Sequence, residues 1–324
     1  MKKLIIPASI VLASLWGCSH NTVPNRVEQL KAEKRAAMQA SRRTTPTLSP
    51  VAVTPSEHAQ NATPTNADNA PYVDVNYANQ TYAAMTKAFA DSIAENPDYN
   101  DPSLNYTDDF VGSTNLNLRK PNFVIIHHTG QDSVRETLRT FTLARTQVSA
   151  HYVIGRDGTV HHMVNDYLRA WHAGAGKWGN VTDMNSCSIG IELDNDGYEP
   201  FTDAQINSLL QVLTSLKKRF DIPAANFIGH ADFAPERKND PDVYFPWKLL
   251  SQYGFGLWWS DTTNVRVPKD FNCLQALRII GYDISNSGKA IIAFRRHFCG
   301  VESTSPMLSP QEQKILFCLY KKYL

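Results

Sequence analysis

Two short apolar runs, Phe123-Val124-Ile125-Ile126 and Phe227-Ile228-Gly229, each lead directly into a histidine. Such runs read as core strands, and strand ends along one edge of a sheet are where a fold gathers residues distant in sequence. Between them, His151-Tyr152-Val153-Ile154 and Thr159 to Val164 flank Gly155-Arg156-Asp157-Gly158. That pattern predicts a hairpin in which glycine supplies the positive φ. Asp132 to Gln147 carries Val134, Leu138, Phe141 and Leu143 along one side and predicts an amphipathic helix. Ser188 to Leu193 predicts another strand. Thr202-Asp203-Ala204-Gln205 has the form of a capping box opening a long helix to about Phe220. Strands alternating with helices predict an α/β fold, a mixed central β-sheet flanked by helices.

The chemistry concentrates at the strand ends. A catalytic zinc takes three protein ligands and keeps a fourth position for water. His127, His230 and a carboxylate suit that pattern, and the polar loop after His230 offers Asp232, Asp240 and Asp242. A lone strand-end histidine is more often a hydrogen-bonded edge residue, so spacing alone leaves both the site and its carboxylate open. His128 cannot share a role with His127, because adjacent strand residues point to opposite faces. In the strand from Ser188 to Leu193, Ser188, Gly190 and Glu192 share one face, while Ile189, Ile191 and Leu193 share the other. A glutamate on a core strand is costly unless it has a partner or a task.

Six segments then appear in order: Ile126-His127-His128-Thr129, Val148-Ser149-Ala150-His151-Tyr152-Val153-Ile154, Arg156-Asp157-Gly158, Arg169-Ala170-Trp171-His172-Ala173-Gly174, Ser188-Ile189-Gly190-Ile191-Glu192-Leu193 and Gly229-His230-Ala231-Asp232. Together they resemble the type 2 N-acetylmuramoyl-L-alanine amidases, relatives of peptidoglycan recognition proteins and phage amidase lysozymes. The likeness covers roughly residues 122–253 and extends to the outer-membrane amidase lipoproteins of Gram-negative bacteria. It implies one Zn2+ per chain, held by His127, His230 and Asp240, with Glu192 as acid/base and Lys238 over the site. The implied reaction hydrolyses the amide between muramic acid and L-alanine in peptidoglycan or muropeptides, for wall turnover or recycling. Zinc would activate water, Glu192 would shuttle its proton to the leaving nitrogen, and Lys238 would help hold the oxyanion. Some relatives place a tyrosine where this chain has Ala150, which leaves the acid/base role to Glu192 alone. Trp171 and His172 suit contact with sugar or stem peptide, and Arg237 suits a stem carboxylate. His151, His161 and His162 read as structural. The competing reading is a non-catalytic peptidoglycan-binding lipoprotein. Such modules usually lack part of the ligand set, whereas all five matched residues stand in this chain.

The ends set the expected compartment. Lys2 and Lys3 precede an apolar run from Leu4 to Leu15, too short to span a bilayer as a helix and laid out as a secretory signal. Leu15-Trp16-Gly17-Cys18 resembles a bacterial lipobox, Trp16 being a departure from its usual small residue. Residues 1–17 are therefore expected to be a signal peptide, with Cys18 lipidated as a membrane anchor. By the same resemblance, Ser19 after the cysteine points to the outer membrane, facing the periplasm. Residues 18–105 read as a tether rich in Thr, Pro, Ala, Asn and Ser, with a reach of about 50 Å if flexible. Within it Tyr82, Met85, Phe89 and Ile93 have helical spacing and are expected to pack on the folded domain. The catalytic domain is expected over 106–260.

Residues 261–324 predict three short helices and resemble a peptidoglycan-binding domain of three-helix type, without most of that family's glycine-rich turns. From Val265 on, nine Lys and Arg face four Asp and Glu, a basic surplus suited to acidic stem peptides. The whole chain, with 32 basic and 31 acidic residues, carries no electrostatic footprint for nucleic acid, and no protein partner is implied. Cys187, Cys273, Cys299 and Cys318 remain beside Cys18, and a disulfide within the last sixty or so residues is expected.

Overall fold

The computed structural model describes residues 73–94 and 112–324. The signal segment, Cys18 and the tether outside residues 73–94 lie outside the described residues. Five strands form one sheet in the order β3-β2-β4-β1-β5. They are β1 (Phe123–His128), β2 (Tyr152–Ile154), β3 (Val160–His162), β4 (Ser188–Leu193) and β5 (Phe227–Gly229). β2, β4, β1 and β5 run parallel, and β3 turns back antiparallel to β2 through Gly158, at φ +84°, as the hairpin pattern predicts. The register sets the site: His127 on β1 pairs with Glu192 on β4, so both project from one face of neighbouring strands.

The two faces of the sheet have different covers. On one, Val124, Ile126, Ile154, Ile189, Ile191, Leu193 and Phe227 pack against helix α4 (Asp203–Phe220). Its numbering is fixed by the helices before it: α1 (Val75–Ala94), α2 (Val134–Thr142) and the single turn α3 (Met184–Cys187). Ile206, Leu209, Leu213, Leu216 and Phe220 recur every three or four residues along α4 and make its buried stripe. Thr202 caps the helix, its hydroxyl oxygen accepting from the Gln205 amide at 3.1 Å. The Gln205 side chain donates to the carbonyls of Ile154 and Asp194 instead, at 2.9 and 3.1 Å, tying α4 to the ends of β2 and β4.

On the other face lie Ile125 and Ile228, the polar site and the remaining helices. These are α5 (His230–Phe233), α7 (Cys273–Ile280), α8 (Ser287–Cys299) and α9 (Pro310–Tyr320), whereas α6 (Trp247–Gln252) puts Trp247 and Leu250 into the first cluster. The three C-terminal helices form as the sequence predicts. Their apolar residues, among them Leu277, Phe294 and Leu316, join Ile125, Ile228, Phe233 and Trp178 in one continuous cluster with the sheet. Trp178 bridges to Tyr282, and its indole lies over Gly281, where a Cβ would stand 2.3 Å from the ring.

Three local expectations change. The helix expected to Gln147 ends at Thr142, because Leu143 is extended and buries itself; Thr137 is the buried residue of α2. The apolar stripe of α1 stays exposed, with Met85 at 52% and Ile93 at 75%, although the Tyr82 hydroxyl accepts from the Asn165 amide at 3.1 Å. Cys187, Cys273, Cys299 and Cys318 are free thiols, so the expected disulfide is absent among the described residues.

Candidate metal centre

His127 rides near the end of β1, and His230 opens α5 directly after β5. Asp240 is brought beside them by the loop after α5, where its carbonyl accepts from the Ala231 amide at 2.8 Å. His127 Nδ1 lies 2.8 Å from His230 Nδ1, and Asp240 Oδ2 lies 3.1 and 3.0 Å from the two nitrogens. All three side chains are buried. Burial pushes the His230 imidazole well below its ordinary pKa and keeps it neutral. Burial opposes charge on Asp240, but His230, His127 and Lys238 together hold its carboxyl well below the usual range.

The geometry also separates the three aspartates that spacing leaves open. Asp232 accepts from the Tyr282 hydroxyl and the Gly229 amide, both at 2.7 Å, and sits 2.7 Å from His297 Nδ1. It therefore anchors α5 to the C-terminal segment. Asp242 lies 3.6 Å from His128 Nδ1, away from His127, as the alternation of strand faces requires. Asp240 alone of the three meets both histidines. Two histidines and one aspartate with ligand atoms within 4.8 Å of one another are the donor set and spacing of a cation site.

Glu192 stands over this triangle, Oε1 4.0 Å from His127 Nδ1. Burial pushes its carboxyl above the ordinary range, His127 and Lys238 drawing it back and Asp240 adding to the rise. Its Oε2 is buried without a hydrogen-bond partner. A buried carboxylate oxygen in that state fits a site built around a cation and a water. Lys238 is half-buried, its amide donating to the Ala234 carbonyl at 3.0 Å, within electrostatic range of Glu192, His230 and Asp240.

The residues expected to touch substrate divide. Trp171 is 48% exposed beside the site, not part of the core. His172 is buried, with Nδ1 3.1 Å from His127 Nε2 and Nε2 3.2 Å from the Ser188 hydroxyl, its ring packed against Gly190 of the sheet. The Arg237 guanidinium donates to the carbonyls of Ala173 and Ala175 and braces the loop behind His230. His151 bears out its structural reading: Nδ1 accepts from the Gly190 amide at 3.0 Å, and Nε2 lies 3.1 Å from the Leu168 carbonyl and 2.8 Å from the Arg119 guanidinium. Burial drops it to about 4.

Sequence reasoning missed two supports. Asn185 Oδ1 accepts from the amides of His172 and Ala173, at 3.0 and 2.8 Å. Arg119 donates to the carbonyls of Asn185, Ser186 and Asp166. No local signal marks either, because their partners are backbone groups that only the fold brings near. Ser188 had a signal, its place on the Glu192 face of β4.

The sequence pattern of the N-acetylmuramoyl-L-alanine amidases matches residues 117–243. N-acetylmuramoyl-L-alanine amidase AmiD of Escherichia coli (strain K12) is 33% identical over 207 residues, covering 54% of this chain and 74% of that protein. A structure of AmiD from E. coli with the substrate anhydro-N-acetylmuramic acid-L-Ala-D-γ-Glu-L-Lys superposes with a TM-score of 0.57 at 28% identity, over 65% of this chain and 93% of that one. AmpDh3 from Pseudomonas aeruginosa, in complex with an anhydromuramic pentapeptide, gives 0.56 at 28% identity, over 68% and 99%.

Proposed function

Since the chain belongs to the N-acetylmuramoyl-L-alanine amidase family, we propose that it is a zinc-dependent hydrolase of the lactyl amide between N-acetylmuramic acid and L-alanine. The observation that carries this reading is the meeting of His127, His230 and Asp240 within about 3 Å of one another, under a half-buried Glu192 whose Oε2 is buried without a hydrogen-bond partner. Zn2+ held by those three residues supplies Lewis acidity toward water and the amide carbonyl.

The chain's own residues do the rest. Glu192 takes the proton of the attacking water as its oxygen bonds to the lactyl carbonyl carbon. It returns that proton to the alanine nitrogen as the C–N bond breaks, so one carboxyl serves both steps. Ala150 offers no second acid. Lys238 faces the negative charge that builds on the carbonyl oxygen. Trp171 presents an exposed indole for stacking on sugar or stem.

The substrates are peptidoglycan or its anhydro-muropeptide fragments, the second supported by what AmiD and AmpDh3 bind. The signal-like N-terminus and the lipobox-like Leu15 to Cys18 support export and lipid anchorage at Cys18, and Ser19 supports the outer membrane of a Gram-negative envelope. The basic surplus of residues 261–324 supports a second hold on the wall. Mass spectrometry of purified muropeptides tests the reaction. Free stem peptides beginning with L-alanine are expected from the intact protein, and none after chelation or from the Glu192→Ala variant with Zn2+ bound. Intact muropeptides after digestion by the Zn2+-loaded wild type would leave only a binding module.

A further inference from the structure

We propose that His172 is a positioning residue for the metal centre, fixing the tautomer of His127 so that Nδ1 is presented to the cation, with Ser188 fixing His172 in turn. The inference rests on the zinc reading and deepens it. The chain of hydrogen bonds is determined from its far end. Ser188 has one hydroxyl proton, and the Met184 carbonyl 2.5 Å away can only accept it. The Ser188 oxygen therefore turns a lone pair toward His172 Nε2 at 3.2 Å, and that nitrogen must carry a hydrogen to make the contact.

His172 packs among Ser188, Gly190 and the rings of His127 and His151, with its Nε2–H committed to the Ser188 oxygen. A neutral imidazole has a single N–H, so its Nδ1 is an acceptor. Nδ1 faces His127 Nε2 at 3.1 Å, which makes His127 the donor there and leaves the lone pair on its own Nδ1. That is the nitrogen pointing at His230 and Asp240. His230 reaches the same state by a shorter route, its Nε2–H donating to the Ala173 carbonyl at 2.9 Å. Consecutive residues, His172 by its side chain and Ala173 by its backbone, thus set both imidazoles. Metal-bound histidines are commonly oriented in this way through the nitrogen that does not bind.

The seat of the ring is built for it. A Cβ at Gly190 would stand 2.2 Å from His172 Cγ, so glycine alone lets the imidazole lie against the sheet. Asn185 holds the backbone on both sides of the contact.

Two measurements test the proposal. Two-bond ¹H–¹⁵N correlation spectra of the histidine-labelled wild type, with and without Zn2+, are expected to show His127 and His172 protonated at Nε2. A proton on Nδ1 of either would overturn the relay. In the second, Zn2+ affinity is read by competition with a chromophoric chelator for His172→Phe and His172→Asn, alongside the melting temperatures of the metal-free proteins. His172→Phe keeps bulk but offers no acceptor, and is expected to bind Zn2+ about 10–100-fold more weakly. His172→Asn restores an acceptor near the Nδ1 position and should recover most of that loss. Wild-type affinity in His172→Phe, or equal losses in both variants, would reduce His172 to a packing residue. If His172→Phe does not fold, the wild-type spectra decide alone. A wild type that binds no Zn2+ would sink the zinc reading itself, whereas a wild type matched by His172→Phe sinks only the relay.

Discussion

The two faces of the central sheet are built on opposite terms. Against α4, Val124 and Ile126 of β1, Ile189, Ile191 and Leu193 of β4 and Phe227 of β5 are aliphatic or aromatic, and the contact is non-directional. Across the same strands, the other face carries His127, Ser188, Gly190 and Glu192, each of which has a particular neighbour or a purposeful lack of one. The first face tolerates exchange of one apolar group for another of similar volume. The second does not, because a buried polar group deprived of its partner incurs its desolvation cost uncompensated. Chemistry is thereby confined to one side of the sheet, beside that face's own apolar cluster, while the α4 side serves stability.

The largest expected effect lies on the polar side. Glu192→Ala should lower kcat by roughly 10²–10⁴-fold, the usual contribution of a positioned acid/base. Zn2+ affinity and the unfolding midpoint should stay near wild type, since Glu192 is not a ligand and its Oε2 has no hydrogen bond to lose. Near-wild-type turnover would remove Glu192 from the reaction. On the apolar side, Leu209→Ala should cost about 2–5 kcal/mol in denaturant unfolding. Leu209 is fully buried. The kcat of the molecules that remain folded should not change, and a matching fall in kcat would show that the faces are coupled.

The difference between the faces also explains what was legible in the sequence. Periodicity marks any position whose environment is apolar on one side, so β1, β4, α4 and the hairpin could be read directly. Glu192 was legible as a polar residue in an otherwise apolar strand. Asp240 was not separable from Asp232 and Asp242 by spacing, because what distinguishes them is contact with Tyr282, His297 and His128, two of them far along the chain. The resemblance chose Asp240, and the fold gives the physical reason. His172 was grouped with Trp171 as a ligand contact because both stand in the Trp-His-Ala-Gly stretch; in an irregular stretch, adjacent residues carry no signal of which side is buried. The stripe on α1 shows the converse limit, since helical spacing of apolar residues identifies a face but not what covers it.

Acid provides a test confined to the polar side. His151 is fully buried and falls to about 4, chiefly by burial, with Arg119 and His162 lowering it further and Asp166 and the Leu168 carbonyl opposing. The imidazole of His172 also faces it. An unfolded histidine titrates near 6.5. The folded chain therefore refuses a proton that the unfolded chain accepts once the pH drops below that value. His151 contributes nothing adverse above about pH 6.5, and stability drains as the pH falls toward 4, by up to about 3 kcal/mol. Urea midpoints from pH 7 to 4.5 should show this slope, and His151→Asn, which keeps an acceptor for the Gly190 amide, should reduce it, leaving the part that buried His172 and His230 contribute. A wild-type midpoint independent of pH in that window would mean that His151 titrates normally.

The smallest effect is the sharpest check on separation. The Thr202 hydroxyl accepts from the Gln205 amide and donates to the Arg156 carbonyl at 2.5 Å, so it joins the start of α4 to the hairpin. Thr202→Ala should cost about 1 kcal/mol, up to about 2, as loss of a helix cap does. Gln205 still holds the ends of β2 and β4 through its own side chain, and its second contact, Asp194, lies two residues after Glu192. Zn2+ affinity and kcat should therefore be unchanged while the unfolding midpoint moves. If the loss of one cap on the apolar side weakens Zn2+ binding as much as it weakens the fold, the sheet transmits strain from face to face, and the division of labour between its sides fails.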